Sequence, residues 1–247
     1  MAKNLQVDET IFVPVSKLKA NILAPSSFVE RHVLEVVARK VRIDVEDNTT
    51  ELIASSFCHR NIGILIFSIG DLKTETTLLD PLAKSVLQFC RLLVPDHSLK
   101  SFKVRSISEV EEIWRCAHGS ISHVILIGHG SKASLRFACD GPVTTGALFD
   151  KLACVETSPK NFISLCCETG YKAFGGAASA YDLCGLFIGP FHSVHGATAS
   201  QFAQTFLTFH LLEGETARVA FKHARAAVAG SASFRLWKDK HLISGPK

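Results

Sequence analysis

Apolar and polar positions alternate along this chain in blocks of two distinct lengths. Residues 62–69 form an apolar run closed by Gly70-Asp71, the pattern of a strand buried on both faces. Residues 123–128 and 161–166 repeat it, 185–188 is a weaker version, and 102–104 is a short strand candidate. Between them lie stretches with helical spacing. Residues 78–93 are closed by Pro95, and 108–117 are capped by Ser106 or Ser108. Residues 146–153 form a third such stretch. Residues 198–213 and 215–229 read as two helices, broken at Gly214 and stopped by Gly230. Their apolar faces are Phe202, Phe206 and Phe209, then Ala217, Ala220, Phe221, Ala224 and Val228; at helical spacing these are core stripes.

Residues 1–59 differ in character. A helix is expected over 28–40, with Val29, Val33, Val36 and Val37 on one face and Ser26 or Ser27 as its cap after Pro25. Residues 44–50 are polar and loop-like. The chain therefore divides into an N-terminal extension, 1–59, suited to docking a partner or covering a sheet edge, and a domain over 60–247. Strands alternating with helices predict an α/β fold with a parallel sheet covered on both faces. In such sheets, sites lie at the carboxyl ends of the strands.

Composition narrows the function classes. The 247 residues suit one large domain or a domain plus extension, and 47% hydrophobic against 20% charged residues excludes a disordered chain. A net charge of +4, with no basic block, argues against direct nucleic-acid binding. No apolar run approaches the roughly 18–20 residues of a membrane-spanning helix. The first ten residues, MAKNLQVDET, lack a signal-peptide core. No membrane association and a cytoplasmic location, with reduced thiols, are expected. The eight cysteines contain no C-x-x-C pair and no zinc spacing. Cys58, Cys90, Cys116, Cys154 and Cys184 read as packing residues.

Two strands end in reactive side chains. VILIGHGS places His129 just past one; FISLCCETG places Cys166 and Cys167 at the end of another. Parallel strands bring both ends to one rim, where a histidine can activate a thiol. Gly128 and Gly130 let backbone approach a substrate, and the Gly130 N–H is a candidate oxyanion donor. A second His-Gly pair, His118-Gly119, lies at the amino end of its strand, about 17–20 Å from the rim that matters. Adjacent strand residues face opposite ways. Cys166 reads as the last, packed residue of the strand, whereas Cys167 precedes Glu168-Thr169-Gly170, where the chain leaves the sheet.

With these residues in place, residues 61–230 resemble a CHAT domain of the caspase-like (clan CD) cysteine peptidases. The resemblance rests on Gly128-His129-Gly130, on Leu165-Cys166-Cys167-Glu168-Thr169-Gly170, on Cys139-Asp140-Gly141 followed by the 148–152 helix, and on the helix pair across 199–227. It implies a caspase-like three-layer α/β/α sandwich with a mostly parallel central sheet. It implies a cysteine endopeptidase acting on a protein substrate through a His129–Cys167 dyad, with the N–H groups of Gly130 and Cys167 as oxyanion donors, no third catalytic residue and no cofactor. A separate activator or sensor protein is implied, as is a setting in bacterial anti-phage defence or programmed cell death through a partner such as a gasdermin-like pore former. The alternative is a catalytically silent CHAT-like scaffold or interaction module. Cys166 stands where the family usually has a small residue. The segment 190–195 lacks the family's Trp-x-Val-x-Asp pattern, so specificity is not carried over.

Three residues are candidates for the substrate pocket. Asp71 follows the first strand on the same rim and either selects a basic residue or caps its loop. Asp182 and His192 are the others; His192 touches substrate or is a solvated loop residue. Asp140 reads as a hairpin-turn residue. His192-x-x-His195 with Cys184 matches no standard metal spacing, and no metal is expected.

Overall fold

A computed structural model of the chain describes residues 62–71 and 73–246. They belong to a unit spanning Ile62–Lys247. The helix expected over 28–40, the extension's docking or edge-covering role and Cys58 lie outside the described residues.

The apolar runs become the middle of a seven-stranded sheet. Strands β1 (Ile64–Ile69), β3 (His123–Ile127) and β7 (Lys160–Ser164) lie side by side, flanked by β2 (Leu99–Val104) and β8 (Cys184–Pro190), all parallel. β9 (Phe234–Lys238) and β10 (His241–Ser244) add two antiparallel strands beyond β8. The order is β10-β9-β8-β7-β3-β1-β2. A separate antiparallel ribbon of β4 (His129–Gly130), β5 (Ser134–Phe137) and β6 (Gly141–Thr144) rises directly after β3. The expected α/β class with a mostly parallel sheet holds. Strands β9 and β10 were not foreseen. Their turn, Asp239-Lys240, has positive φ at both residues, 49° and 66°, matching the twist of a tight hairpin without the usual glycine or asparagine signal.

Helices cover both faces of the sheet. Helices α1 (Asp80–Leu93), α4 (Gly196–Leu207) and α5 (Ala217–Ala227) pack on one side, with Val86, Cys90, Phe202, Phe206, Phe221 and Ala224 meeting Ile64, Ile66, Ile125 and Ile163. Helices α2 (Ile107–Ala117) and α3 (Thr145–Leu152) cover the other, with Trp114 and Phe149 against Leu65, Phe67, Val124 and Phe162. Each such aliphatic or aromatic side chain contributes about 1.5–3 kcal/mol on leaving water.

The helix ends follow their local chemistry. Ser106 caps α2 in a reciprocal box: its hydroxyl accepts from the Glu109 N–H at 3.2 Å, and the Glu109 carboxylate accepts from the Ser106 N–H at 3.3 Å. Gly214 and Gly230 take left-handed φ values of 70° and 79°, conformations that side chains resist, where the helices stop. The helix expected over 198–213 starts two residues earlier, and its last turn, Thr208–Leu212, is wound wide as a π-turn. Strand β7 ends two residues earlier than expected, so Cys166 lies beyond it yet remains buried. Cys90 and Cys184 are buried as expected, but Cys116 and Cys154 are exposed, on the outer face of α2 and in the loop after α3. Among the described residues no helix is long and apolar enough to cross a membrane.

Candidate active site

The carboxyl ends of β1, β3, β7 and β8 share one rim, and the backbone there is drawn together by glycines. A Cβ on Gly130 would lie 2.5 Å from the Cys167 carbonyl oxygen and 2.9 Å from Cys166 Cβ, distances no real side chain tolerates. The close approach that Gly130 permits is thus to the turn carrying Cys166 and Cys167. It sets the backbones carrying His129 and Cys167 against each other. Gly170 closes the other side. Its N–H donates to the Pro190 carbonyl at 2.7 Å, and a Cβ there would collide with the Gly189 carbonyl.

The turn holding Cys167 is knit by buried polar groups. Thr169 is fully buried, and its Oγ1 lies 2.8 Å from both Ser164 Oγ and the Cys166 carbonyl. Glu168 sits in the left-handed region at φ 62°, a strained placement for a residue with a side chain, one position past Cys167. The two neighbouring thiols differ accordingly. Cys166 points into the core towards the Leu126 carbonyl, 3.6 Å away, and burial pushes its thiol pKa up to about 12. Cys167 is half-buried, with Sγ 3.9 Å from the Val194 carbonyl. A thiol held fully protonated is a poor nucleophile, so the geometry favours Cys167. No hydrogen bond joins His129 to Cys167 among the described residues. Such pairs are often loose without a substrate in place.

His129 is held by the loop after β1. Thr74 Oγ1 lies 2.6 Å from His129 Nε2, and Asp71 Oδ2 lies 3.5 Å from the same nitrogen. Thr74 gives its hydroxyl proton to Asp71 Oδ1 at 2.9 Å. Its oxygen therefore accepts from the Nε2–H, which fixes the tautomer and leaves Nδ1 as the basic nitrogen of the neutral ring. The Thr74 N–H foremost, with the Thr74 hydroxyl, the Lys73 N–H and His129, holds the Asp71 carboxyl below its ordinary pKa. Glu75 anchors this loop through ion pairs to Lys103 at 2.6 Å and Arg105 at 2.9 Å.

Of the two readings open for Asp71, its contacts answer to loop capping, with an orienting contact to His129; its oxygens are engaged within the site rather than offered to a basic substrate residue. Thr74 was not foreseen. The only signal was the Asp-x-x-Thr spacing after a buried strand, which is also an ordinary loop cap.

Asp182 does not belong to this rim. It precedes β8 at the amino end, and the strand's seven residues, Cys184–Pro190, carry the chain about 20 Å away from it. There it lines an open cavity of about 650 Å³ with Tyr181, Cys184 and Lys238. As a pocket candidate it is therefore on the wrong rim, since it comes before the 185–188 strand and not after it. His118 sits on that same far rim, between α2 and β3, as expected. His192 does lie on the functional rim, exposed, with its ring 4.5 Å from Phe191. His195 caps α4, its Nδ1 accepting from the Ala197 N–H at 3.2 Å. Asp140 occupies the β5–β6 turn, and its carboxylate accepts from the Ile107 N–H at 2.6 Å, tying the ribbon to the start of α2.

Compared with known proteins, the chain matches no family model and no curated relative.

Proposed function

We propose that this protein is a cysteine endopeptidase of caspase-like architecture acting on a protein substrate. The observation that carries the reading is the contact of Gly130 with Cys167, which brings a tautomer-fixed histidine and a half-exposed thiol from neighbouring strand ends to one place. The sheet order supports the architecture, with the histidine after β3 and the cysteine after the adjacent β7.

In the proposed reaction the Cys167 thiol gives its proton to His129 Nδ1, and the thiolate attacks the scissile carbonyl carbon. As the carbon–sulfur bond forms, the carbonyl π pair moves to oxygen, where the N–H groups of Gly130 and Cys167 receive it; such donors are worth about 10²–10³ in rate. The imidazolium, opposite the Asp71 carboxylate, returns its proton to the departing amine as the carbon–nitrogen bond breaks. Water then attacks the thioester, giving its proton to His129. The carbon–sulfur bond breaks, Sγ takes back the proton held on His129, and the substrate's new carboxyl group leaves, losing its own proton to solvent.

A peptide-based, thiol-reactive probe tests this directly. It should label wild-type protein at one thiol, and labelling should vanish in Cys167→Ala. Equal labelling of that variant would overturn the assignment, and a wild-type chain that neither labels nor cleaves would support the silent scaffold.

Thr74 acts here as a positioning residue. Thr74→Val is expected to lower kcat roughly tenfold with KM changed less than about twofold, because the imidazole loses its fixed tautomer but the substrate contacts remain. Thr74→Ser should restore most of kcat. Loss of activity in both variants, together with a lowered melting point, would reduce Thr74 to a fold residue.

A further inference from the structure

Beside the nucleophile turn, two cations converge on one aromatic pair. The rings of Tyr171 and Phe191 lie 4.2 Å apart. Arg235, only 6% exposed, lays its guanidinium 3.3 Å from the centre of Phe191 and 5.9 Å from that of Tyr171. Lys132, two residues past Gly130 in the β4–β5 loop, brings Nζ to 4.8 Å from the centre of Tyr171. Neither cation forms an ion pair with a carboxylate among the described residues. The one hydrogen bond the Arg235 side chain makes there runs from Nε to the Pro246 carbonyl at 2.7 Å. Its fork of terminal N–H groups is left without a protein acceptor among those residues.

A charged group as buried as Arg235 is normally paired, because desolvation is costly and aromatic faces offset only part of it, about 0.5–2 kcal/mol, whereas Lys132 reaches the same ring from an exposed loop. Two like charges brought to the same ring add repulsion. An anion would relieve both. The location is informative as well. Arg235 stands opposite Gly189 in the β8–β9 ladder, and Gly189 abuts Thr169 and Gly170, so no side chain from that position stands between the arginine and the nucleophile turn. A guanidinium held this close over a ring centre keeps its terminal N–H groups as a two-pronged donor, which matches a planar carboxylate.

We propose that Lys132 and Arg235, on the Tyr171–Phe191 floor, form a subsite for an acidic side chain of the substrate, so that cleavage occurs at a fixed distance from an Asp or Glu. This deepens the peptidase reading and rests on it.

Two measurements on the full chain separate the claims. In the first, a peptide library is cleaved by wild-type protein, and kcat/KM is compared for matched Glu and Gln peptides. The expected ratio is at least tenfold in favour of Glu. Arg235→Gln should bring that ratio towards one. Lys132→Glu, a change on an exposed loop that spares the fold, should lower it severalfold. Arg235→Lys, which keeps the charge but loses the fork, should fall between. In the second, fluorescently tagged Glu and Gln peptides are titrated into the inactive Cys167→Ala protein, where tighter binding of the Glu peptide is expected. Cleavage without acidic preference, unchanged by Lys132→Glu, would overturn the subsite and leave the peptidase standing. Selective binding of the Glu peptide that is lost in Lys132→Glu, with no cleavage by wild type, would support the subsite and overturn the peptidase.

Discussion

Cys167→Ala is expected to reduce peptide cleavage by about three orders of magnitude or more, the scale on which removing a covalent nucleophile acts, with no loss of thermal stability. His129→Ala should cost a similar factor. Cys166→Ala should keep most of the activity and instead lower the melting temperature, because its sulfur fills space in the core. The contrast follows from burial. One thiol faces the Leu126 carbonyl inside the core and stays protonated at neutral pH, while the other is half-exposed beside the histidine's strand end. Parallel assays of cleavage rate and thermal melt on the three variants test it. An active Cys167→Ala with a dead, well-folded Cys166→Ala would reverse the assignment.

The second large effect concerns the opposite end of the sheet. His123 opens β3 almost fully buried, at 3% exposure. Its Nε2 accepts from Asn161 Nδ2 at 3.1 Å, so its proton sits on Nδ1, which donates to Ser122 Oγ at 2.8 Å. The same Asn161 amide nitrogen lies 3.4 Å from Nε2 of His210, whose Nδ1 donates to the Glu215 carbonyl at 2.7 Å. Burial foremost, then the neighbouring His210, lowers the His123 pKa to about 3 from an ordinary 6.5. The folded chain therefore refuses a proton that the unfolded chain accepts. The resulting stability is present in full above pH 6.5 and is lost progressively as pH falls towards about 3. Each pH unit in that window costs about 1.4 kcal/mol, on the order of 4–5 kcal/mol in all. Urea unfolding of wild type and His123→Gln at several pH values between 7 and 4 tests this, since the glutamine carbonyl can still accept from Asn161 but does not titrate. The wild-type curve should fall more steeply with acid. Parallel curves would show that His123 does not carry the acid sensitivity.

What the sequence made legible follows from which forces are local. Strands β1, β3 and β7 are buried on both faces, so their composition alone marks them, and with them the rim where His129 and Cys167 meet. That Cys166 packs inside while Cys167 is half-exposed was also readable, because the chain turns at Glu168-Thr169-Gly170 just past Cys167. By contrast, β9 and β10 are short, and β9 carries Arg235 among its buried residues, so neither strand has a clean period. The Asp71–Thr74 hold on His129 joins residues 55 or more positions apart and exists only once β1 and β3 pair. Asp182 was named as a pocket candidate without reference to a strand end; it precedes the strand expected at 185–188, and the parallel pairing of Cys184 with Lys160 sets it on the amino-end rim.

The frame of the site is made of main chain: Gly130 against the Cys167 carbonyl, and Gly170 bonded to Pro190. None of these contacts involves the reactive side chains. A descendant that exchanged its sulfur or its imidazole would therefore keep this main-chain frame and its cationic corner intact. On the peptidase reading proposed above, losing the chemistry and keeping the ability to hold a peptide would be separated by a single codon, and an inactive copy would remain available as a decoy or adaptor.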